Sequence, residues 1–181
     1  MKKLFFIIAV LMAANGQAQI TKVSLQASGL TCSMCSNAIN KSLKSLDNVE
    51  KVMSNISTST FEISFKNNAA VNFDELKKKV EDAGFFVSKL TADVFFNNVK
   101  LLKDEHLPFA GMNLHFLNGK EQTLNGVQQI QVLDKGYVSS KIYKKNSSLT
   151  PMDCYKTGVA AACCASSGMI AGSRMYHVTL L

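Results

Sequence analysis

The chain has 181 residues, 47% of them hydrophobic and 18% charged, with a net charge of +7. That length suits one ordinary domain or two small ones, and the apolar share excludes wholesale disorder. Lysines are spread from Lys22 to Lys156 rather than gathered with aromatics on one face, so nothing points to nucleic acid.

Lys2 and Lys3 precede an apolar run, Leu4 to Ala14, and Gly16-Gln17-Ala18 supplies small residues at cleavage positions. Residues 1–18 therefore read as a secretory signal; the run is too short to span a bilayer, and an uncleaved anchor is the alternative. The processed protein is expected to begin near Gln19, to be secreted or periplasmic, and not to span a membrane. Without Lys2 and Lys3, 18 basic and 13 acidic residues leave a net charge of +5. Cys32, Cys35, Cys154, Cys163 and Cys164 all remain. An odd number of cysteines in an oxidising compartment leaves at least one thiol without an intramolecular disulfide partner.

From Thr21 to Ala27 the chain alternates, with Val23, Leu25 and Ala27 on one face, which predicts a half-buried strand. After "GLTCSMC" (Gly29–Cys35), the positions Cys35, Ala38, Ile39, Ser42, Leu43 and Leu46 form a helical stripe, with Asn37, Asn40, Lys41 and Lys44 outward. A second strand is expected over Val49–Ile56, and a third carrying Phe61, Ile63 and Phe65. Asn72, with Glu75 three residues on, resembles a capping box opening a second helix that faces Phe73, Leu76, Val80 and Ala83 inward. Gly84 suits the position just past that helix, and Phe85–Leu90 reads as a fourth strand. The order β-α-β-β-α-β is that of a ferredoxin-like α+β sandwich.

Three segments of this stretch carry a family resemblance: Gly29–Cys35, "LDNVEKV" (Leu46–Val52) and "VEDAGF" (Val80–Phe85). In that order and spacing, residues from about Ile20 to Leu90 resemble the heavy-metal-associated domain of copper chaperones, metal-exporting ATPases and periplasmic mercury-binding proteins. The resemblance implies that Cys32 and Cys35 bind a soft metal ion. It departs at Leu30, where the family usually has Met; that side chain packs under the loop, and Leu fills a similar volume. Zinc-handling members tend to carry Asp before the first Cys, and here the residue is Thr31.

The domain is assigned to residues 19–92, with a boundary around Thr91–Asn98 and a second, mainly β domain over 93–181. That remainder resembles no family and is read from pattern alone. Asn118-Gly119 between alternating segments predicts a hairpin, and Asp134-Lys135-Gly136 predicts another with a three-residue turn. Ser147–Pro151 reads as loop, Gly158–Gly172 as a buried helix or tight loop, and "RMYHVTLL" as a closing strand.

The spacing of Cys32 and Cys35 admits three chemistries. A disulfide would close a tiny loop and stabilise little. A redox couple uses the same spacing, but expects an aromatic before the first Cys and a different βαβ setting. Two thiolates at a helix N-terminus, where the dipole favours the anion, suit a soft d¹⁰ ion. Two ligands leave such an ion open to a third, whereas structural zinc wants four. Cu(I) is favoured, with Hg(II) or another soft ion second; Met34 is a spacer, and Phe85 shields the loop.

The last thirty residues hold Met152, Cys154, Cys163, Cys164, Met169, Met175 and His177. One reading pairs Cys154 with Cys163 or Cys164, closing a loop of about ten residues, with the methionines as core filler. The other makes Cys154, Cys163 and Cys164 a second soft-metal site. His106 and His115 stand alone in sequence and read as structural. No Ser/His/Asp set, phosphate-binding Gly loop or carboxylate pair is evident, so no enzyme is expected. The overall expectation is an exported metal-binding protein acting as metallochaperone or scavenger, delivering to another metal-binding domain or an exporter. The alternatives are a thiol–disulfide oxidoreductase using Cys32 and Cys35, or a metal-responsive sensor or adaptor.

Overall fold

The computed structural model of the protein describes residues 19–117 and 119–181. The expected signal, residues 1–18, lies outside them, as does Asn118 of the expected hairpin. The elements run β1 (Gln19–Ser28), α1 (Ser33–Lys44), β2 (Val49–Asn55), β3 (Thr60–Phe65), α2 (Phe73–Asp82), β4 (Phe86–Leu101), β5 (His106–Phe109), β6 (Met112–Phe116) and β7 (Gln122–Val132). Two short helices, α3 (Ser140–Asn146) and α4 (Asp153–Thr157), a 3₁₀ turn (Ala162–Ser167) and β8 (Met175–Leu180) complete the chain.

The first six elements form the expected split βαβ sandwich, with strand order β2-β3-β1-β4, all antiparallel. Local chemistry explains why it forms where it does. Asn72 caps α2 by accepting from the Asp74 and Glu75 amides, and Gly84 follows the helix at φ +88, a conformation that costs glycine little. Phe73, Leu76 and Val80 of α2 are buried against Leu25, Phe61 and Ile63 of the sheet in one core. On α1 the inward positions are Ser36, Ile39 and Leu43. Ala38, expected inward, is exposed, and Asn40, expected outward, is half-buried and donates to Val52 O and Ser54 Oγ of β2. The helix is thus rotated slightly from the apolar stripe, because Asn40 finds hydrogen-bond partners that Ala38 cannot.

Beyond Leu90 the structure departs from expectation. The fourth strand does not stop there, and the range taken as a boundary, Thr91–Asn98, lies inside β4. Leu90, Ala92, Val94 and Phe96 continue one buried phase, so the chain has no polar break at which to leave the sheet. From Thr91 to Leu101, β4 pairs antiparallel with β7, and the sheet extends to eight strands in the order β2-β3-β1-β4-β7-β8-β6-β5. The apolar core is equally continuous, running from Ile39 and Phe61 through Val94 and Phe96 to Phe116, Ile130 and Val178.

Both expected hairpins are absent among the described residues. β6 and β7 are not neighbours: β8 inserts between them, parallel to β6 and antiparallel to β7. A distant strand with a buried face, Met175 to Val178, has displaced the local pairing. After Asp134-Lys135-Gly136 the chain turns into α3 instead of a return strand, with Ser139 capping the Ile142 amide. The closing strand is found as β8. Gly158–Gly172, expected as helix or tight loop, holds the 3₁₀ turn.

Ion pairs and hydroxyls fasten the C-terminal part onto the start of α2. Arg174 Nε meets Asp74 Oδ2 at 2.7 Å, Tyr137 donates to Asp74 Oδ1 at 2.6 Å, and Tyr176 Oη lies 3.1 Å from both Asp74 Oδ2 and Asn72 Oδ1. The described helices include none long and apolar enough to cross a membrane.

Candidate metal centre

Cys32 is the residue that caps α1: its backbone is extended, and its Sγ accepts from the Cys35 amide at 3.4 Å. The cap puts Cys35 in the first turn, so both sulfurs stand at the positive end of the helix dipole. The two Sγ atoms lie 2.7 Å apart. Cys32 is exposed and Cys35 half-buried. The Cys35 thiol is held below its ordinary range, chiefly by its hydrogen bond with Cys32 and then by the backbone of Thr31, against a smaller opposing effect of burial. One sulfur is therefore readily a thiolate stabilised by its neighbour's S–H.

The loop rests on apolar supports. Leu30 and Phe85 pack partly buried against the core. Gly29 has φ +88, and a methyl there would meet the Phe85 ring at 3.8 Å. Met34, between the thiols, is 81% exposed. Sequence pattern therefore found this pair, and the structure places it on an open loop beside a helix N-terminus.

A second concentration of ligand atoms lies at the other end of the sheet. His106 pairs with His115 across β5 and β6, and His115 pairs with His177 across β6 and β8. Register thus lines up all three histidines of the chain in one lateral row. The His106 and His115 rings stack at 4.1 Å, and His115 meets His177 edge-on at 5.1 Å. Cys154 from α4 and Cys164 from the 3₁₀ turn cover the row. Cys154 Sγ lies 3.4 Å from His177 Nε2 and 3.8 Å from His115 Nδ1, and Cys164 Sγ lies 3.5 Å from His106 Nε2. Met175 and Ala160 are buried with the two cysteines, and Met152 and Met169 pack against them.

Electrostatics in this cluster are those of a dry site. His115 is wholly buried, and burial, reinforced by the charges of His106 and His177, pushes it down to about 3. His106 is lowered for the same first reason. Both rings are thus neutral near pH 7, the ligand form of imidazole. His177 Nδ1 lies 2.6 Å from Asp134 Oδ1. The carboxylate side is the acceptor of this contact, so Nδ1 donates to Asp134 and Nε2 faces Cys154 Sγ. Asp134 is in turn held by Arg174 Nη2 at 2.9 Å.

His106 and His115, read from sequence as isolated structural residues, are therefore brought together with Cys154, Cys164 and His177. Their common signal was faint: each sits in a short apolar strand, and only non-local register unites them. The side chain of Cys163 lies outside the described residues, and with it the expected bridge from Cys154 to one of the adjacent cysteines.

An open pair of thiols at the first helix of a split βαβ unit defines a class of small soft-metal-binding domains. Residues 24–86 match the heavy-metal-associated domain, and this part of the chain is such a domain. The chain is 32% identical over 98 residues to a probable copper-exporting P-type ATPase of Archaeoglobus fulgidus, covering 52% of this chain and 12% of that protein. It is 36% identical over 73 residues to a copper-exporting P-type ATPase of Staphylococcus saprophyticus, covering 40% and 9% respectively. It thus spans about a tenth of the length of these curated relatives. Among solved structures, the yeast copper transporter domain Ccc2a, studied in apo and Cu(I)-loaded states, is 35% identical over 36% of this chain and 88% of its own, with a TM-score of 0.33. Oxidized MerP from Ralstonia metallidurans is 28% identical over 39% of this chain and 96% of its own, with a TM-score of 0.35.

Proposed function

We propose that the protein is an exported carrier or scavenger of a soft metal ion, Cu(I) first and Hg(II) or another soft ion second, rather than an enzyme. The observation that carries this reading is the Cys32–Cys35 pair, exposed at Cys32, with its sulfurs 2.7 Å apart at a helix N-terminus within a heavy-metal-associated domain. Soft thiolates select d¹⁰ ions, and two-ligand coordination on an exposed loop leaves the ion open to an incoming thiolate. Transfer then proceeds by ligand exchange: a partner thiolate adds, one protein sulfur leaves, and the ion moves without passing through water. The recipient is another metal-binding domain or an exporter, and residues 1–18 direct export. Anaerobic titration with Cu(I) against a competing chelator tests the reading. Cys32→Ser with Cys35→Ser removes one high-affinity equivalent; unchanged stoichiometry contradicts it.

The proximity of the sulfurs and the lowered Cys35 thiol also suit a thiol–disulfide oxidoreductase. The reduction potential of the pair separates the two: a strongly oxidising couple that takes up no Cu(I) favours the redox reading.

A further inference from the structure

We propose that Cys154, His106 and His115, with His177 and Cys164 beside them, form a second, buried site for a d¹⁰ ion of the Cu(I) or Zn(II) type, independent of the Cys32–Cys35 loop. Ligand atoms of His106, His115 and Cys154 lie within 4.8 Å of one another. A tetrahedral ion with sulfur at about 2.3 Å and nitrogen at about 2.0 Å holds its ligand atoms about 3.5 Å apart. The observed sulfur–nitrogen separations of 3.4 Å (Cys154 to His177) and 3.5 Å (Cys164 to His106) lie close to that value.

Two further observations point to a ligand rather than to ordinary core filling. His115 Nε2 is buried and has no hydrogen-bond partner among the described residues. Its desolvation cost is removed if His115 binds the ion through Nε2, leaving the 3.8 Å contact of Nδ1 with Cys154 Sγ as a hydrogen bond rather than a ligand pair. Asp134 orients His177 through Nδ1 and leaves Nε2 towards the cysteine, the carboxylate–histidine arrangement that supports metal-bound imidazoles. The stacked rings of His106 and His115, 12° from parallel, must tilt for both lone pairs to reach one ion, so loading involves a small local rearrangement.

Asp134, His177 and Cys154 also match the order of a Cys–His–Asp catalytic set. Against that reading, Cys154 is fully buried, and catalysis has no use for two more imidazoles around the sulfur. The thiolate–imidazole chemistry is shared by Cu(I) and Zn(II), because both ions take Cys and His donors.

The test uses the whole chain carrying Cys32→Ser and Cys35→Ser, fully reduced under anaerobic conditions, titrated in separate arms with Cu(I) and Zn(II) against competing chelators. One equivalent is retained in at least one arm, X-ray absorption shows sulfur and imidazole nitrogen together, and loading raises the unfolding temperature. The arm that retains metal in competition identifies the ion. Adding Cys154→Ser or His106→Gln removes that equivalent while far-ultraviolet circular dichroism stays unchanged. Should those variants unfold, the absorption spectrum of the parent still decides, since oxygen-only coordination or no retained metal overturns the proposal. Rapid alkylation of Cys154 in the folded, metal-free protein, faster than a simple thiol, also overturns it in favour of the catalytic set.

Discussion

The two ligand clusters share a pair of cysteines, to which the second adds three imidazoles, and they differ in almost everything that surrounds them. Cys32 and Cys35 stand on a loop where Cys32 itself caps the helix and two apolar side chains, Leu30 and Phe85, support it from below. At the other end the histidines are placed by three strands and the cysteines by α4 and the 3₁₀ turn; all are buried, and the cluster is tied through Asp134 and Arg174 to Asp74 on α2. On the two proposals above, a thiol pair at the surface would exchange its ion easily, and a ligand set inside a core would hold it, because each entering group must displace packed side chains. Exposure is then what the comparison sets against ligand chemistry as the cause of that difference.

The largest effect expected is at the support of the buried cluster. Asp134→Ala leaves His177 without its acceptor and Arg174 with only Asp74. Unpairing buried charges costs about 3–5 kcal/mol, and the part-exposed Arg174 puts this case near 3. Urea unfolding measures it, and a loss below about 1 kcal/mol would mean that the network is ornamental.

Acid comes next. An unfolded histidine binds its proton near pH 6.5, whereas folded His115 stays neutral down to about 3. Between those values the unfolded chain holds more protons, so stability falls as pH falls, by about 1.4 kcal/mol per pH unit for each such histidine. Unfolding curves at pH 7 and pH 5 show this loss, and His115→Gln reduces the slope. Equal slopes in the two proteins would place the acid sensitivity elsewhere.

Smaller effects sharpen the loop side of the comparison. Gly29→Ala forces a side chain into φ +88 and towards Phe85; about 1 kcal/mol of stability and part of the Cu(I) affinity go together. By contrast, Cys32→Ser with Cys35→Ser changes stability by less than about 0.5 kcal/mol, because Cys32 is exposed, Cys35 only half-buried, and serine can cap the helix in place of Cys32. Alkylation of Cys35 begins at a lower pH than that of a simple thiol, whose midpoint is about 8.5, since its hydrogen bond with Cys32 favours the thiolate.

The sequence made the thiol loop legible because everything that builds it is local. An alternating strand, a capped helix, the Asn72 cap and Gly84 each declare themselves within a few residues. The rest was illegible for a physical reason. Asn118-Gly119 has the composition of a hairpin turn, but β8, some sixty residues on, supplies a better-buried partner and takes the place between β6 and β7. His106 and His115 look solitary because their relation is one of register across β5, β6 and β8. One signal was available: the alternation from Leu90 to Phe96 continues the phase of β4 and argues against a boundary at Thr91–Asn98.

The most direct measurement is the rate at which a chelator withdraws metal from the reduced protein loaded with Cu(I) and with whichever of Cu(I) and Zn(II) the buried site retains. Two phases are predicted. The fast one disappears with Cys32→Ser and Cys35→Ser, and the slow one with Cys154→Ser. A single fast phase that both sets of substitutions leave unchanged would contradict the account.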